Sequence, residues 1–215
     1  MTPPSVDPIH VIVADDQVMV REALATLLSL EPDIVVVGQA GNGADTLALL
    51  DKRRLQPSEP SIDVVLLDIE MPQLDGLTTC SAIRDRFPST RVLILTTFGR
   101  PGYVQRALDA GASGFLVKDA PSQQLADAVR RIAQGLRVID PTLAVEALTR
   151  GASPLTDREA EVLRSVGSGG TIADVAQDLG LSQGTVRNHV SAAMLKTGAR
   201  TRSEAVRIAT ESGWL

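Results

Sequence analysis

Polar residues that could take part in a reaction or bind a metal follow short aliphatic runs along the first half of the chain. They are Asp15 and Asp16 after IHVIVA, Asp68 at the end of VVLLD, Thr96 at the end of RVLILT, and Lys118 after GFLV. Crowded carboxylates repel one another, and a hard divalent cation that prefers oxygen ligands, such as Mg²⁺, makes such a cluster tolerable. A lysine adds a compact positive charge. If the aliphatic runs belong to one sheet, these residues predict a Mg²⁺ site with a reactive carboxylate.

Each of these residues alone has a simpler interpretation. An acidic residue after a strand is usually a helix N-cap or a solvated loop group. Asp75 is predicted to be such a cap, at the start of the helix that Gly76 opens. The chain contains neither GxGxxG nor GxxxxGK, so its motifs do not indicate a nucleotide-binding loop. The occurrence of all five polar groups at successive strand ends favours a shared site over five unrelated loop residues.

The elements that must position these groups follow from hydrophobic periodicity. Five strand-like aliphatic runs alternate with five helix-like stretches, such as VREALATLLSL, in which the apolar residues recur at helical spacing. This alternation predicts an α/β fold with a parallel sheet that is covered on both faces. In open sheets of this kind, reactive groups gather at the carboxyl ends of the strands.

Composition restricts the class of protein. The chain has 215 residues, which is enough for two small domains, and its net charge is −5. Aromatic residues make up only 2%, which argues against proteins that stack single-stranded bases. The single cysteine, Cys80, excludes an internal disulfide or a cysteine-rich zinc site. The N-terminus resembles no signal peptide, and no apolar run is long enough to span a bilayer. We therefore expect a soluble cytoplasmic protein without direct membrane insertion.

The first half of the chain resembles the receiver domains of two-component response regulators. The matching motifs are ADD at 14–16, LLDIEMPQLDG at 66–76, LTT at 95–97 and AGASGFLVK at 110–118. The resemblance covers residues 8–134 and implies a flavodoxin-like (βα)5 fold. It also implies a sensor histidine kinase as the phosphoryl donor and Mg²⁺ as the cofactor.

The same resemblance implies a role for each matching residue. Asp68 is the phosphoacceptor, Asp16 is a direct Mg²⁺ ligand with Asp15 as its acidic neighbour, and Glu70 supplies a backbone carbonyl to the metal. Thr96 is the switch hydroxyl, Lys118 contacts the phosphoryl oxygens, and Phe115 is the switch aromatic. Because phenylalanine has no hydroxyl, we expect burial alone to drive its movement into space that Thr96 vacates.

The second half of the chain is predicted to be a linker and a small all-α domain. Residues 135–152 are rich in Gly and Pro and are predicted to contain one short helix, from the apolar spacing of Leu143, Val145 and Leu148. Residues 153–215 are predicted to form four helices. Their predicted N-caps are Thr156 and Thr201, each in a T-x-x-E capping box with Glu159 or Glu204, and also Thr171 and Ser182.

The two middle helices, joined through Gly180, have the pattern of a helix-turn-helix. In the second of them, Val186, Val190, Ala193 and Met194 share one face, which leaves Gln183, Arg187, Asn188 and Ser191 outward. A long bidentate donor and an amide on an exposed helix face are suited to reading a major groove. The alternative is the solvated surface of an ordinary helical bundle. Residues 182–207 also carry a local excess of basic residues, namely Arg187, Lys196, Arg200, Arg202 and Arg207 against Glu204.

This half is similar to LuxR/NarL-type DNA-binding domains through LTDREAEVL, LSQGTVRNHV and LKTGARTRSEAV. The resemblance implies that Arg187, Asn188 and Ser191 approach base edges and that Thr185 and Lys196 touch phosphate. Two positions depart from the family, with Thr197 in place of a common leucine and Ser191 in place of a frequent basic residue. A small local charge predicts weak binding by one copy, so we expect a homodimer on double-stranded DNA with paired half-sites.

The predicted function is that of a phosphorylation-activated transcription factor that is not an enzyme beyond its own phosphorylation and dephosphorylation. The stretch TTFGRPGYVQRAL and the terminal GWL resemble DesR-type regulators, which implies control of lipid desaturation genes. Two alternatives stay open. One is a constitutive DNA-binding regulator with a silent receiver, and the other is a phosphatase with an aspartyl-phosphate intermediate, for which Glu70 would be the general acid and base.

Overall fold

Strands and helices alternate through the first part of the chain. The computed structural model describes residues 7–56, 58–97, 101–141, 143–145 and 153–215. The first elements are β1 (Ile9–Ala14), α1 (Val18–Ser29), β2 (Ile34–Ala40), α2 (Gly43–Arg54), β3 (Val64–Asp68), α3 (Gly76–Arg86), β4 (Arg91–Thr96), α4 (Pro101–Ala110), β5 (Gly114–Val117), α5 (Ser122–Ala133) and β6 (Val138–Ile139).

The strands form one parallel sheet in the order β2-β1-β3-β4-β5-β6. Because successive strand residues point to opposite faces, Val11 and Val13 lie in the cluster that packs against α1 and α5, while Ile12 is buried on the other face. Burial on both faces explains the continuous aliphatic runs, and the predicted flavodoxin-like α/β fold is confirmed.

The sixth strand differs from the prediction. Val138 and Ile139, in the stretch predicted to be linker, pair with Gly114 and Phe115 of β5 and extend the sheet by one short strand. Two residues are too few to display strand periodicity, so only the pairing with β5 defines this element. Leu143 and Val145 are helical, but most of the predicted linker helix, including Leu148, lies outside the described residues.

The described residues 153–215 form the four predicted helices, α6 (Asp157–Gly167), α7 (Ile172–Asp178), α8 (Gln183–Thr197) and α9 (Arg202–Glu211). Two apolar clusters hold them together. One contains Leu163, Ala193 and Ala209, and the other contains Val175 and Val186. Both clusters include residues of α8, so its position depends on the other three helices.

The helix starts agree with the predicted caps except in one detail. Thr156 and Glu159 form the predicted capping box of α6. At α9, Thr201 accepts a hydrogen bond from the Glu204 amide, but the Glu204 carboxylate accepts from the Arg200 amide at 2.8 Å instead of from the cap residue. The second capping box was therefore predicted correctly for the Thr201 side chain but wrongly for the Glu204 side chain. The amide of Arg200, one residue before the cap, is also free of helix hydrogen bonds and takes the carboxylate instead.

The chain divides into two compact units, one built on the sheet and one that contains the C-terminal helices. Each has its own apolar clusters, as expected for separate domains. The boundaries 8–134, 135–152 and 153–215 stay predictions.

Candidate functional site

Asp68 lies at the carboxyl end of a central strand. All five residues of β3 are buried, and Asp68, its last residue, is 4% exposed. The neighbours β1 and β4 run parallel to β3, so the residues that end these strands reach the same edge of the sheet. The strand thus carries a lone carboxylate from the core to a shared edge.

Asp15 and Asp16 join Asp68 at this edge. One carboxylate oxygen from each of the three residues lies within 4.8 Å of the others. Asp15 is 1% exposed, whereas Asp16 is exposed. The loop that holds them is fixed by the Gln17 amide, which donates to Asp15 Oδ1 at 2.9 Å, and by Arg21, whose Nη1 donates to the Asp15 carbonyl oxygen at 2.5 Å.

Lys118 supplies the positive charge beside this acidic group. Its Nζ is 2.7 Å from Asp15 Oδ2 and 3.1 Å from Asp68 Oδ1. Its amide donates to the Thr96 carbonyl oxygen at 2.8 Å, which anchors the end of β5 to the end of β4. Burial opposes the lysine charge, but the two carboxylates outweigh it and raise the pKa of Lys118. The cation is therefore retained at neutral pH.

The Asp68 carboxyl has a strongly perturbed acidity. Burial raises its pKa to about 6, although Lys118 acts in the opposite direction. The charge of Asp15 adds to the rise. A carboxylate whose charge costs this much is stabilised by any cation that replaces its lost hydration.

These residues fit a hard divalent cation. Asp15 Oδ2 is buried and, although it faces Lys118 as an ion pair, has no hydrogen bond of good geometry. Buried polar atoms are rarely left in this state without an ion or a water nearby. Three carboxylates with oxygens within 4.8 Å of one another form the oxygen-only donor set that Mg²⁺ prefers.

The described structure also locates the remaining residues predicted for this site. Thr96 ends β4 and is 4% exposed. Glu70 is exposed, and its contribution of a backbone carbonyl stays a prediction. Phe115 lies in β5 and is 0% exposed, so it already occupies the core. The predicted movement of Phe115 from the surface into the core therefore cannot start from this structure, in which Phe115 is already buried.

Two residues that support the site were missed by sequence reasoning. Arg21 was predicted only as part of an amphipathic helix, and no motif signals its contact with the Asp15 carbonyl. Gly76 lies where the loop after β3 folds back, and a Cβ there would be 1.9 Å from the Asp68 carbonyl oxygen. Asp75 caps α3 as predicted, since its Oδ1 accepts from the Thr78 amide at 2.8 Å.

Replacement of Gly76 by alanine is expected to destabilise the sheet unit. The new methyl group would overlap the backbone of Asp68, which cannot move without disturbing β3. Overpacking of this kind costs about 1–3 kcal/mol, and urea unfolding of the variant should show a loss in that range. Gly135→Ala is a less crowded comparison, because a Cβ there would meet nothing within 4 Å, although its positive φ adds backbone strain. Equal stability of Gly76→Ala and wild type would contradict the close approach.

Mg²⁺ is expected to stabilise the protein more at pH 7.5 than at pH 5, values chosen to lie roughly on either side of the Asp68 pKa. The pKa of folded Asp68 is about 6, above the ordinary 3.8, so protonation favours the metal-free fold. In the metal-free protein, Asp68 contributes to the stability of the fold below the pKa that it has in the unfolded chain. This contribution is lost as pH rises through the pKa of folded Asp68. A ligating carboxylate must be deprotonated, so Mg²⁺ should restore stability above about pH 6. Thermal unfolding with and without Mg²⁺ measures this, and a shift independent of pH would contradict it.

The C-terminal unit presents an exposed polar face on α8. Val186, Val190 and Ala193 are buried, as predicted, while Gln183, Arg187, Asn188 and Ser191 are exposed. The turn before α8 passes through Gly180, whose φ of +63° suits glycine. Ser182 caps the helix by accepting from the Thr185 amide at 3.1 Å. The helix therefore has one apolar face that is covered and one polar face that is open.

Four of the side chains predicted to contact DNA, those of Gln183, Thr185, Arg187 and Lys196, have partners within the protein. Arg187 Nη2 donates to Gln183 Oε1 at 3.3 Å along the exposed face. Thr185 Oγ1 is 2.9 Å from Ser182 Oγ, at the cap. Lys196 Nζ lies 2.7 Å from the Glu159 carboxylate of α6. The exposed pair on α8 is a weak contact that a ligand can replace, whereas the Lys196 pair involves a buried acid.

Within the part of the chain that the structure describes, no helix has both the length and the apolar character needed to cross a membrane.

Two family models match separate parts of the chain. Residues 11–130 match the response regulator receiver domain, and residues 153–209 match the bacterial regulatory proteins of the luxR family. The transcriptional regulatory proteins YvfU and DesR of Bacillus subtilis (strain 168) are 44% and 43% identical to the chain. Each alignment covers 96% of this chain and 100% or 98% of the relative.

Solved structures give the same result. The response regulator ChrA, from a heme-sensing two-component system, aligns with a TM-score of 0.56 and 32% identity, over 98% of this chain and 100% of ChrA. The receiver domain of a NarL response regulator from Mycobacterium tuberculosis aligns with a TM-score of 0.55 and 37% identity, over 60% of this chain and 99% of that domain. Known proteins thus match both units of the chain, the sheet unit with its acidic edge and the helical unit with its exposed polar helix. The chain belongs to the response regulator transcription factors of the LuxR family.

Proposed function

We propose that Asp68 accepts a phosphoryl group from a phosphohistidine of a sensor histidine kinase, and that this event controls binding of α8 to DNA. The observation that carries the proposal is the convergence of Asp15, Asp16 and Lys118 around the buried Asp68 carboxylate. The same chain carries a polar recognition face, so the phosphorylation site and the output belong to one molecule.

Charge and position account for the chemistry of phosphoryl transfer. An Asp68 oxygen attacks phosphorus, the P–O bond forms as the P–N bond breaks, and the electron pair remains on the histidine nitrogen of the kinase. Lys118 Nζ, 3.1 Å from Asp68 Oδ1, holds the transferred oxygens as negative charge spreads over them. Asp15, Asp16, Asp68 and the Glu70 carbonyl would hold Mg²⁺, which supplies charge neutralisation to the same oxygens when bound.

The switch is proposed to begin at Thr96. The acyl phosphate on Asp68 would attract the Thr96 hydroxyl through a charge-assisted hydrogen bond. Phe115 lies in the adjacent strand, where residues 94 and 115 are partners in the register. Since Phe115 is already buried, we propose that it moves within the core when Thr96 shifts. A coupling of about 1–3 kcal/mol is enough to change a two-state population several-fold or more.

The output is proposed to be binding of a homodimer to double-stranded DNA with paired half-sites. Gln183, Arg187, Asn188 and Ser191 would face base edges, and Thr185 would approach phosphate. The exposure of Gln183, Arg187, Asn188 and Ser191 on one helix supports the assignment of the base contacts. A helix-turn-helix domain with few basic residues gains affinity by contacting two half-sites at once.

The remaining parts of the proposal rest on the family. Relatives are transcriptional regulators, and we propose that this chain is likewise not an enzyme except toward its own aspartyl phosphate. A phosphatase would need Glu70 as acid and base, and nothing in its exposed position favours that role. We propose lipid desaturation genes as targets, supported by the similarity to DesR-type sequences, although residues 98–100 of that motif lie outside the described part. A cytoplasmic location follows from the need to meet DNA.

Solution mass with Mg²⁺, before and after addition of beryllofluoride, tests the switch. Beryllofluoride bonded to a carboxylate stands in for the phosphoryl group. Wild type should change from monomer to dimer, and Asp68→Asn should remain monomeric under both conditions. No change in either protein would favour a constitutive regulator with a silent receiver.

A further inference from the structure

Glu159 is a buried acid that serves two helices. It is the third residue of α6 and is 6% exposed. Its Oε2 accepts from the Thr156 amide at 2.7 Å, which completes the capping box, and also from Lys196 Nζ at 2.7 Å. Burial opposes its charge most strongly, yet the hydrogen bonds from Lys196 and Thr156 outweigh burial and lower the pKa of Glu159. The carboxylate is therefore ionised and needs its lysine partner.

Lys196 is an exposed residue, but its ammonium group reaches from α8 to the Glu159 carboxylate of α6. It lies in the last turn, three residues after the buried Ala193, and residues at this spacing share one side of a helix. Ser191, five residues before Lys196, lies on the far side of the helix and is exposed. The lysine side chain is only 36% exposed.

The pair has little charge to offer a DNA phosphate. A lysine at 2.7 Å from a carboxylate is locally neutralised, and the acid would repel a phosphate that approached the same ammonium group. Release of counterions, which gives lysine–phosphate contacts their salt dependence, requires net positive charge near the backbone. The expected phosphate contact of Lys196 is thus poorly supported by its surroundings.

We propose that Lys196 and Glu159 are positioning residues, which fix the end of α8 against α6 so that the exposed face of α8 meets base edges in the correct orientation. The apolar clusters already hold α8 through Val186, Val190 and Ala193. Apolar contacts are not directional, whereas an ion pair with a buried acid fixes both the rotation and the axial position of the helix. The inference rests on the proposed placement of α8 in the groove.

The Glu159→Gln variant separates the two roles by the sign of its effect. Glutamine retains an acceptor for the Thr156 amide, as capping boxes with glutamine do, and removes only the charge that binds Lys196. If Lys196 positions α8, the variant binds specific DNA more weakly. If Lys196 contacts phosphate, the variant frees the ammonium group, so it binds all DNA more tightly.

The experiment uses the full chain with beryllofluoride and Mg²⁺. One probe is a duplex selected from a randomised pool by the wild-type protein, and the other is the same duplex with its sequence scrambled. Glu159→Gln and Lys196→Met should each weaken binding to the selected duplex by about threefold to tenfold, the range expected for loss of a typical hydrogen bond. Binding to the scrambled duplex and the salt slope of binding should not change. The double variant should lose no more affinity for the selected duplex than the single variant with the larger loss.

Controls exclude unfolding and a general loss of charge. Trp214, the one tryptophan of the sequence, packs against the cluster that contains Leu163 and Ala193, so its emission reports whether the helical unit is folded. Lys52→Met removes an exposed positive charge from α2 and should leave both affinities unchanged.

Three results would overturn the inference. They are tighter binding by Glu159→Gln, wild-type binding by both single variants, and a fall in the salt slope of about 0.9 for Lys196→Met, the value of one lost phosphate contact. If Arg187→Ala also binds the selected duplex normally, the placement of α8 in the groove fails as well. If Arg187→Ala is impaired, only the positioning role fails.

Discussion

Replacement of Asp68 by asparagine is expected to abolish phosphorylation of the protein. The amide cannot form the acyl phosphate, and the side chain that remains beside Lys118 is not a nucleophile. Intact mass after incubation with Mg²⁺ and acetyl phosphate should show one added phosphoryl group on wild type and none on the variant. Asp85→Asn, which removes an exposed carboxylate of α3, should be phosphorylated like wild type.

The Asp68→Asn variant is also expected to fold. Asparagine has nearly the same shape, and Lys118 keeps Asp15 as a partner at 2.7 Å. Burial of the Asp68 charge is unfavourable in the metal-free protein, as its raised pKa of about 6 indicates. Metal-free Asp68→Asn should therefore be at least as stable as wild type at neutral pH. Phosphorylation of the variant at the wild-type rate would show that another residue is the phosphoacceptor.

Replacement of Arg187 by alanine is expected to weaken binding to the selected duplex by about 1–3 kcal/mol, the discrimination that a bidentate contact to a base provides. Arg187 is exposed on α8, and its weak hydrogen bond to Gln183 at 3.3 Å is easily exchanged for a base edge. Titration of the two duplexes measures the effect. The loss should be larger for the selected duplex than for the scrambled duplex, because a base contact carries sequence information.

The matched control for this prediction is Arg131→Ala. Arg131 is an exposed arginine of α5, so its replacement removes the same charge from the sheet unit. Its binding to both duplexes should match wild type. An unaltered affinity of Arg187→Ala for the selected duplex would contradict the groove assignment.

Local patterns predicted the elements that bring the acidic residues together. The run VVLLD predicted a buried strand, and β3 has all five residues buried. A parallel sheet brings the ends of its central strands to one edge, so the proximity of Asp15, Asp68 and Lys118 followed from the order of the strands. The capping box of Thr156 and Glu159 was predictable because it depends on residues three apart.

Contacts that do not follow from the order of the strands or from local spacing were not predictable from these patterns. Val138 and Ile139 form β6 only through pairing with β5. The pair of Lys196 and Glu159 joins residues on different helices, and a capping box does not reveal that its acid has a second partner. Burial of Phe115 likewise depends on how the helices cover the sheet, which periodicity alone does not determine.

The most direct test of the central claim is the affinity of the full chain for the selected duplex, with Mg²⁺, before and after addition of beryllofluoride. We expect beryllofluoride to tighten binding by wild type and to leave Asp68→Asn at the affinity of the untreated protein. This result would tie DNA binding to chemistry at Asp68. Equal affinity in all four samples would contradict control of DNA binding by this carboxylate.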